Sequence, residues 1–437
     1  MDKNNNNVVT DKQVAITKKF SGQALIVQVL NLIPKSIIED AVTKFGSDRY
    51  CKKLHTREHL AFMLFGVITG CRSLRDKVHS IIMLGNRLIH FNLSYTPARS
   101  TLSDANKRRK PEVFAEIYAS LVDVYRGVLS DRSCKVFNKI DSELAERKQK
   151  ELQGYNIKLV DGTTISLFKE IMKNSGRAQQ NGKRKGGIKC TVELPDSLLV
   201  PTFVNFSSGA TNDKKMLSKL NLKEGDLVIL DKGYNKYTQW RSWSEQKISF
   251  VTRLNEGAKF ELAEKLTFDA EANPGVLSDE YVMLGKKADN EEGIKTRLVV
   301  FQDPNEDRQF FFASNLGPEI SPYTIAMCYK KRWDIELLFK QLKQNFELNH
   351  FYGDNENALL IQIWSALIAN LLITVMKVKS HTKISFSCLV ALIRKHTGSY
   401  IDIMAFLAEP YQTWRRVLRA NLEKVQLEIF ATEGGTS

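Results

Sequence analysis

The stretch NIKLVDGTTISLF (156–168) alternates apolar and polar side chains, and DLVILD (226–231) is a short, continuously apolar run that ends in a carboxylate. The first pattern is that of a half-buried strand, the second that of a strand covered on both faces. Between them, GGIKCTVEL (186–194), Pro195-Asp196-Ser197 and LLVPTFVNF (198–206) predict a hairpin with a three-residue turn, and a helix follows around Asp213–Leu220. A helix over Tyr234–Gln246 and a further strand, ISFVTRL (248–254), come after them. Three strands, a helix, a strand, a helix and a strand predict an α/β sandwich.

Upstream, residues 1–18 are a polar tail, and 19–150 predict an all-helical N-terminal domain. Its segments 56–70, 74–84 and 111–129 are apolar or carry apolar residues three and four apart, with Pro111 suited to a first helical turn. Downstream, 255–310 is acidic-rich with short strand-like pieces such as TRLVVFQ (296–302), which predicts a β-rich insertion into a core made of 151–254 and 311–378. RQFFFASNL (308–316) and one long helix from Tyr323 to Phe346 follow, and 379–437 is a helical C-terminal region.

The chain has 437 residues, 43% of them hydrophobic and 26% charged, which excludes a wholly disordered, collagen-like or disulfide-dense protein. Its net charge of +15 predicts a polyanionic partner, nucleic acid or an anionic membrane surface. None of the six cysteines stands in a C-x-x-C pair, and the start, MDKNNNNVVTDKQ, lacks the apolar core of a secretory signal, so a reducing, cytosolic compartment is expected. ALLIQIWSALIANLLITVM (358–376) is long enough to cross a bilayer, but Gln362, Ser365 and Asn370 interrupt it. A buried core helix is expected there, and no membrane partner.

Three acids carry the chemistry. Asp161 shares a strand face with Ile157, Leu159, Ile165 and Leu167, where an ionised carboxylate needs a positive partner. By itself it also suits a turn cap at Gly162. Asp231 ends its strand where open α/β sheets build sites, and it equally suits a helix cap. In YKKRWDIELLFKQLKQNF (329–346), successive steps of about 100° put Tyr329, Arg332, Glu336 and Lys343 within roughly 60° of one another. Ile335, Leu338, Phe339, Leu342 and Phe346 form the neighbouring apolar stripe. An ordinary Arg332–Glu336 pair one turn apart accounts for part of this strip. Together, Asp161, Asp231 and Glu336 could share two Mg²⁺ or Mn²⁺ ions, which about 3.5–4 Å apart clamp both oxygens of a phosphoryl transfer. Arg332 and Lys343 could hold phosphates, and Tyr329 could donate to one.

VDGTT at Asp161, LDKGY at Asp231, and Y-x-x-R-x-x-x-E-x-x-x-x-x-x-K from Tyr329 to Lys343 resemble, in that order, the DDE transposases of bacterial insertion sequences. The likeness is to the cut-and-paste branch with the Tyr–Arg–Glu–Lys signature, and TREHLAFMLFGVITGCRSLRD resembles the helical leader of such proteins. The resemblance implies a ribonuclease-H-like catalytic core, metal-dependent cleavage of element ends and strand transfer to target DNA. It implies Asp161, Asp231 and Glu336 as catalytic metal ligands and Tyr329, Arg332 and Lys343 as DNA contacts. It further implies a homodimer on terminal inverted repeats, working in the cytoplasm on nucleoid DNA. The family's inserted segment carries a Trp that stacks near a flipped base; this chain has none between Asn255 and Phe310, leaving Phe260, Phe268, Tyr281 or Phe301 to stack.

Lys183, Arg184 and Lys185, with Arg177 and Lys189, make a basic loop suited to the DNA backbone. In TPARSTLSDANKRRK (96–110), Arg99, Ser103, Asn106 and Lys110 share a helix face that predicts a groove-reading helix, with Arg99 and Asn106 as DNA contacts; an exposed basic helix fits as well. His55 and His59 stand one turn apart without further metal ligands and read as surface or packing residues. Two other functions share most of these features: a ribonuclease-H-like metal nuclease without strand transfer, and a non-catalytic, transposase-derived DNA-binding protein.

Overall fold

A computed structural model describes residues 22–85, 96–131, 139–166, 187–285, 293–303 and 308–412, together with Arg415 and Arg419. The chain divides into two compact units, Lys135–Gln341 and Met1–Cys134 with Leu342–Ser437. It is a mixed α/β protein with one large sheet and many helices.

The first unit holds a nine-stranded sheet in the order β3-β2-β1-β4-β5-β9-β8-β7-β6. Its strands are β1 (Asn156–Ser166), β2 (Gly187–Pro195), β3 (Phe203–Ser208), β4 (Asp226–Leu230), β5 (Ser249–Arg253), β6 (Phe260–Lys265), β7 (Val276–Leu284), β8 (Ile294–Gln302) and β9 (Gln309–Ser314). β1, β4 and β5 run parallel, and the other pairings are antiparallel. All five residues of β4 are buried, as its unbroken apolar run predicts. Trp240, on the Tyr237–Glu245 helix, stacks on Phe250 of β5 at 4.7 Å between ring centres. The expected insertion forms β6, β7 and β8, which extend the same sheet through β9 and end in β6, an edge strand exposed along its whole length. A buried pair fixes this extension: Arg297 reaches both carboxylate oxygens of Asp279 at 2.8 and 2.6 Å and donates to the Gly317 carbonyl.

Two local expectations are corrected. The hairpin's second strand starts at Phe203 rather than at 198; Pro201 has no N–H for a ladder, and Leu198 and Val200 turn into the core. The helix expected from Tyr323 to Phe346 is two helices, Pro322–Lys331 and Trp333–Asn345, broken at Arg332. There the bonds tighten to three-residue spacing: Arg332 N–H to Tyr329 O at 3.0 Å and Ile335 N–H to Arg332 O at 3.1 Å.

The second unit is helical. Its centre is Glu356–Lys379, against which Thr56–Thr69, Arg99–Arg108, Glu112–Val124 and Phe386–Lys395 pack. Among the described residues it is the one helix long and apolar enough to span a membrane, and 94% of its most apolar window is buried inside the protein. Its polar groups are satisfied locally: Gln362 donates to His350 O at 2.7 Å and accepts from Tyr352 N–H at 2.9 Å, and Ser365 donates to Ile361 O. Residues 356–378, expected in the 311–378 part of the core, pack with the N-terminal helices in this unit. Lys139–Lys150, expected in the 19–150 domain, packs instead on Pro322–Lys331, where Arg147 donates to Ser321 Oγ at 2.9 Å.

Lys77 is fully buried in this helical unit. Its ammonium lies 3.2 Å from the Met63 sulfur and 3.5 Å from the centre of the Tyr352 ring, and a Cβ at Gly66 would run into its side chain. Among the described residues it has no carboxylate partner, and burial pulls its pKa from 10.5 down to about 7. Between those values the unfolded chain holds a proton that the folded chain does not, so this site adds stability as pH rises from 7 toward 10.5. Below pH 7 the penalty is complete. Lys77→Met is expected to remove that slope in pH-dependent melting curves. It should also stabilise the protein at pH 7 by about 1–3 kcal/mol, because the buried charge disappears.

Candidate active site

β1 and β4 pair in parallel with Val160 opposite Leu230. The next residues along the chain, Asp161 in the middle of β1 and Asp231 just past the end of β4, are thereby set side by side. Both also make the turn contacts expected of capping residues. Asp161 Oδ1 accepts the Gly162 N–H at 2.7 Å, and Asp231 Oδ2 accepts that of Gly233 at 3.5 Å.

The break at Arg332 aims its guanidinium at this edge. One arm donates to Asp161 Oδ2 at 2.7 Å and the other to Glu336 Oε1 at 2.7 Å. The i,i+4 pair is therefore present, but the same side chain spans to a second acid 171 residues away in sequence. Tyr329, 8% exposed, donates its hydroxyl to Asp231 Oδ1 at 3.2 Å. All three acids are thus joined to one helix–helix junction through Arg332 and Tyr329. Burial raises the Asp161 pKa, and the negative charges of Asp231 and Glu336 add to the rise. Arg332 and the Gly162 N–H oppose it. Burial likewise raises the Tyr329 pKa, so its hydroxyl keeps its proton and remains a donor.

Four residues that the sequence reading left without a role at this site support the edge from behind. A Cβ on Gly162 would lie 2.9 Å from the Tyr234 hydroxyl, 3.1 Å from Lys189 Cε and 3.3 Å from Thr191 Oγ1. Lys189 pairs with Asp213, whose Oδ2 would lie 3.4 Å from a Cβ on Gly233. The register of β2 against β1 puts Thr191 opposite Gly162 and Lys189 opposite Thr164, so both reach the face away from Asp161. Only the two glycines next to the acids signal this arrangement in the sequence. Lys189, expected in a DNA-facing loop, is buried and held by Asp213.

The other expected contacts separate. Lys343 is exposed in the last turn of the Trp333–Asn345 helix. Arg99 is exposed, but Asn106 is 1% exposed and bonds the His59 ring at 2.7 Å, so it offers nothing to a DNA groove. The i,i+4 count put Asn106 on an outer face because its partner lies 47 residues away in sequence. Lys183, Arg184, Lys185 and Arg177 lie outside the described residues. Of the aromatics considered for stacking, Phe301 is buried at 1% exposure and Phe260 is 42% exposed.

Among the described residues no three His, Cys, Asp or Glu groups stand at metal-ligand spacing. The Arg332 fork fills the space between Asp161 and Glu336 instead. The donor set itself is all carboxylate oxygen, gathered where negative charge is costly, and suits a hard divalent cation.

The family model described as "Transposase DDE domain" matches residues 152–372, just over half the chain, and one described as a domain of unknown function matches 21–92. A putative transposase of Sinorhizobium fredii is 28% identical over 64% of this chain and 72% of its own length. A putative transposase for an insertion sequence element of Synechocystis is 27% identical over 63% of this chain and 70% of its own. A cryo-EM structure of a piggyBac transposase synaptic complex with hairpin DNA covers 94% of this chain and 84% of its own at 10% identity and a TM-score of 0.38, a likeness too slight to define the fold. The chain belongs to the transposase DDE-domain family.

Proposed function

We propose that this enzyme moves an insertion sequence by cut-and-paste transposition, with Asp161, Asp231 and Glu336 as its catalytic acids on a ribonuclease-H-like core. The observation that carries the reading is the parallel register that sets Asp161, in mid-β1, beside Asp231, just past β4, with Glu336 tied to the first through Arg332. The three acids would hold two Mg²⁺ or Mn²⁺ ions, which supply Lewis-acid activation of the attacking and leaving oxygens. Water first hydrolyses a strand at the element end and releases a 3′-hydroxyl. That hydroxyl then attacks another phosphodiester, so one P–O bond forms as another breaks.

The chain's own groups orient the scissile phosphate. Arg332 can turn its fork from the two carboxylates to phosphate oxygens, which present the same bidentate acceptor geometry. Tyr329 has one proton to donate at the same edge, and Lys343 supplies a point charge for the backbone further along. Double-stranded DNA at the terminal inverted repeats and at the target is the substrate. A homodimer would bring two ends together, in the bacterial cytoplasm at the nucleoid. A plain nuclease of the same fold would cut and never join. Pre-cut ends bearing a 3′-hydroxyl, incubated with a plasmid and Mg²⁺, are expected to yield joined products, and cutting without joining would favour the nuclease.

Glu336→Gln is expected to abolish cleavage while end binding in a gel-shift assay persists; loss of binding as the main effect would make Glu336 structural. Gly162→Ala is expected to slow cleavage about tenfold or more, since sub-ångström misplacement of a reacting group is costly. Adding Tyr234→Phe removes the atom that the new Cβ would meet at 2.9 Å and should restore part of the rate.

A further inference from the structure

The segment 46–55, GSDRYCKKLH, joins the Lys35–Phe45 and Thr56–Thr69 helices inside the region matched by the domain of unknown function. Its base is held by a buried polar network. Asp48 Oδ1 accepts from Thr56 N–H and Thr56 Oγ, each at 2.7 Å, and from Arg109 Nη2 at 3.3 Å. Arg109 also donates to Leu54 O at 3.0 Å and to His59 Nδ1 at 2.8 Å. An arginine can only donate, so His59 carries its proton on Nε2 and passes it to Asn106 Oδ1. Arg109 and Thr56 are 6% and 0% exposed, so the loop is fastened to the helices from inside.

Its tip is the opposite. Tyr50 is 89% exposed and adopts φ 63, a left-handed conformation that costs a tyrosine strain and a glycine nothing. The Arg49 guanidinium sits 5.0 Å from the Tyr50 ring centre. Arg49, Lys52 and Lys53 are all exposed, and among the described residues none pairs with a carboxylate. Three exposed cations on one loop with a solvated aromatic ring, its base fastened by buried hydrogen bonds, are complementary to a polyanion that offers both phosphates and apolar edges.

We propose that the 46–53 loop is a duplex-DNA contact, with Arg49, Lys52 and Lys53 on backbone phosphates and Tyr50 packed against the sugar or base edge between them. This rests on the reading of the chain as a DNA transposase, and it assigns the N-terminal contact to this loop rather than to the Arg99–Arg108 helix, whose Asn106 is interior. The full-length protein and its Arg49→Ala/Lys52→Ala/Lys53→Ala variant are titrated with a labelled element-end duplex across a salt series. Each lost phosphate contact lowers the log–log salt slope by about 0.9, so a fall of about 2–3 is expected. Tyr50→Gly is expected to raise the melting temperature, through relief of strain, while weakening binding several-fold; a purely structural Tyr50 would not move the two in opposite directions. A folded triple variant with an unchanged slope overturns the loop assignment alone, because the wild type still binds. A wild type that binds no duplex, or that uses this loop only on phosphatidylserine vesicles, overturns the DNA reading beneath it.

Discussion

Two carboxylates placed side by side repel each other, and burial makes the repulsion stronger. The parallel register of β1 and β4 imposes that placement on Asp161 and Asp231. Much around them can be understood as a response. Arg332 stands at the break between two helices and its fork bridges Asp161 and Glu336, and Tyr329 donates a hydrogen bond to Asp231. Behind the strand ends, glycine at 162 and 233 leaves room for Tyr234 and for the Lys189–Asp213 pair to approach closely. The Arg332 cation set between Asp161 and Glu336 offsets the repulsion that burial strengthens.

The strands that carry the first two acids were legible because burial on one or both faces writes itself into local alternation and apolar runs. The Arg332–Glu336 pair was legible for the same reason: its partners stand one helical turn apart. What escaped was set by distant partners. Nothing within a helical turn of Asn106 reveals that His59 will bury it, and nothing in the 356–379 stretch says which helices will cover it. The break at Arg332 was hidden because 322–345 is good helical sequence throughout; the break follows from what Arg332 must reach. Pro201 did signal that the hairpin's second strand could not begin at 198, and the apolar run around it masked that signal.

The two units meet their polar obligations differently. In the sheet unit, the buried Arg297–Asp279 pair and the Gly317 carbonyl fix the added strands through charge-assisted bonds. In the helical unit, Gln362 closes a loop of backbone groups without any charge, whereas Lys77 is left with only a sulfur and a ring face. Gln362 is a satisfied network because backbone groups meet both ends of its amide, and Lys77 is a stored cost because no carboxylate among the described residues meets its charge.

Among the described residues the sheet stops at β6, where a row of backbone donors and acceptors has no further strand beside it. Such a rim invites pairing between molecules and, at high concentration, fibrous self-association. The sequence FELAEK (260–265) answers with Glu261, Glu264 and Lys265 along a fully exposed strand, while Lys295 reaches across from β8, two strands in, to 3.7 Å from Glu264. Charges at that density penalise a second copy laid against the rim, so a sheet this wide can stay soluble with one side open.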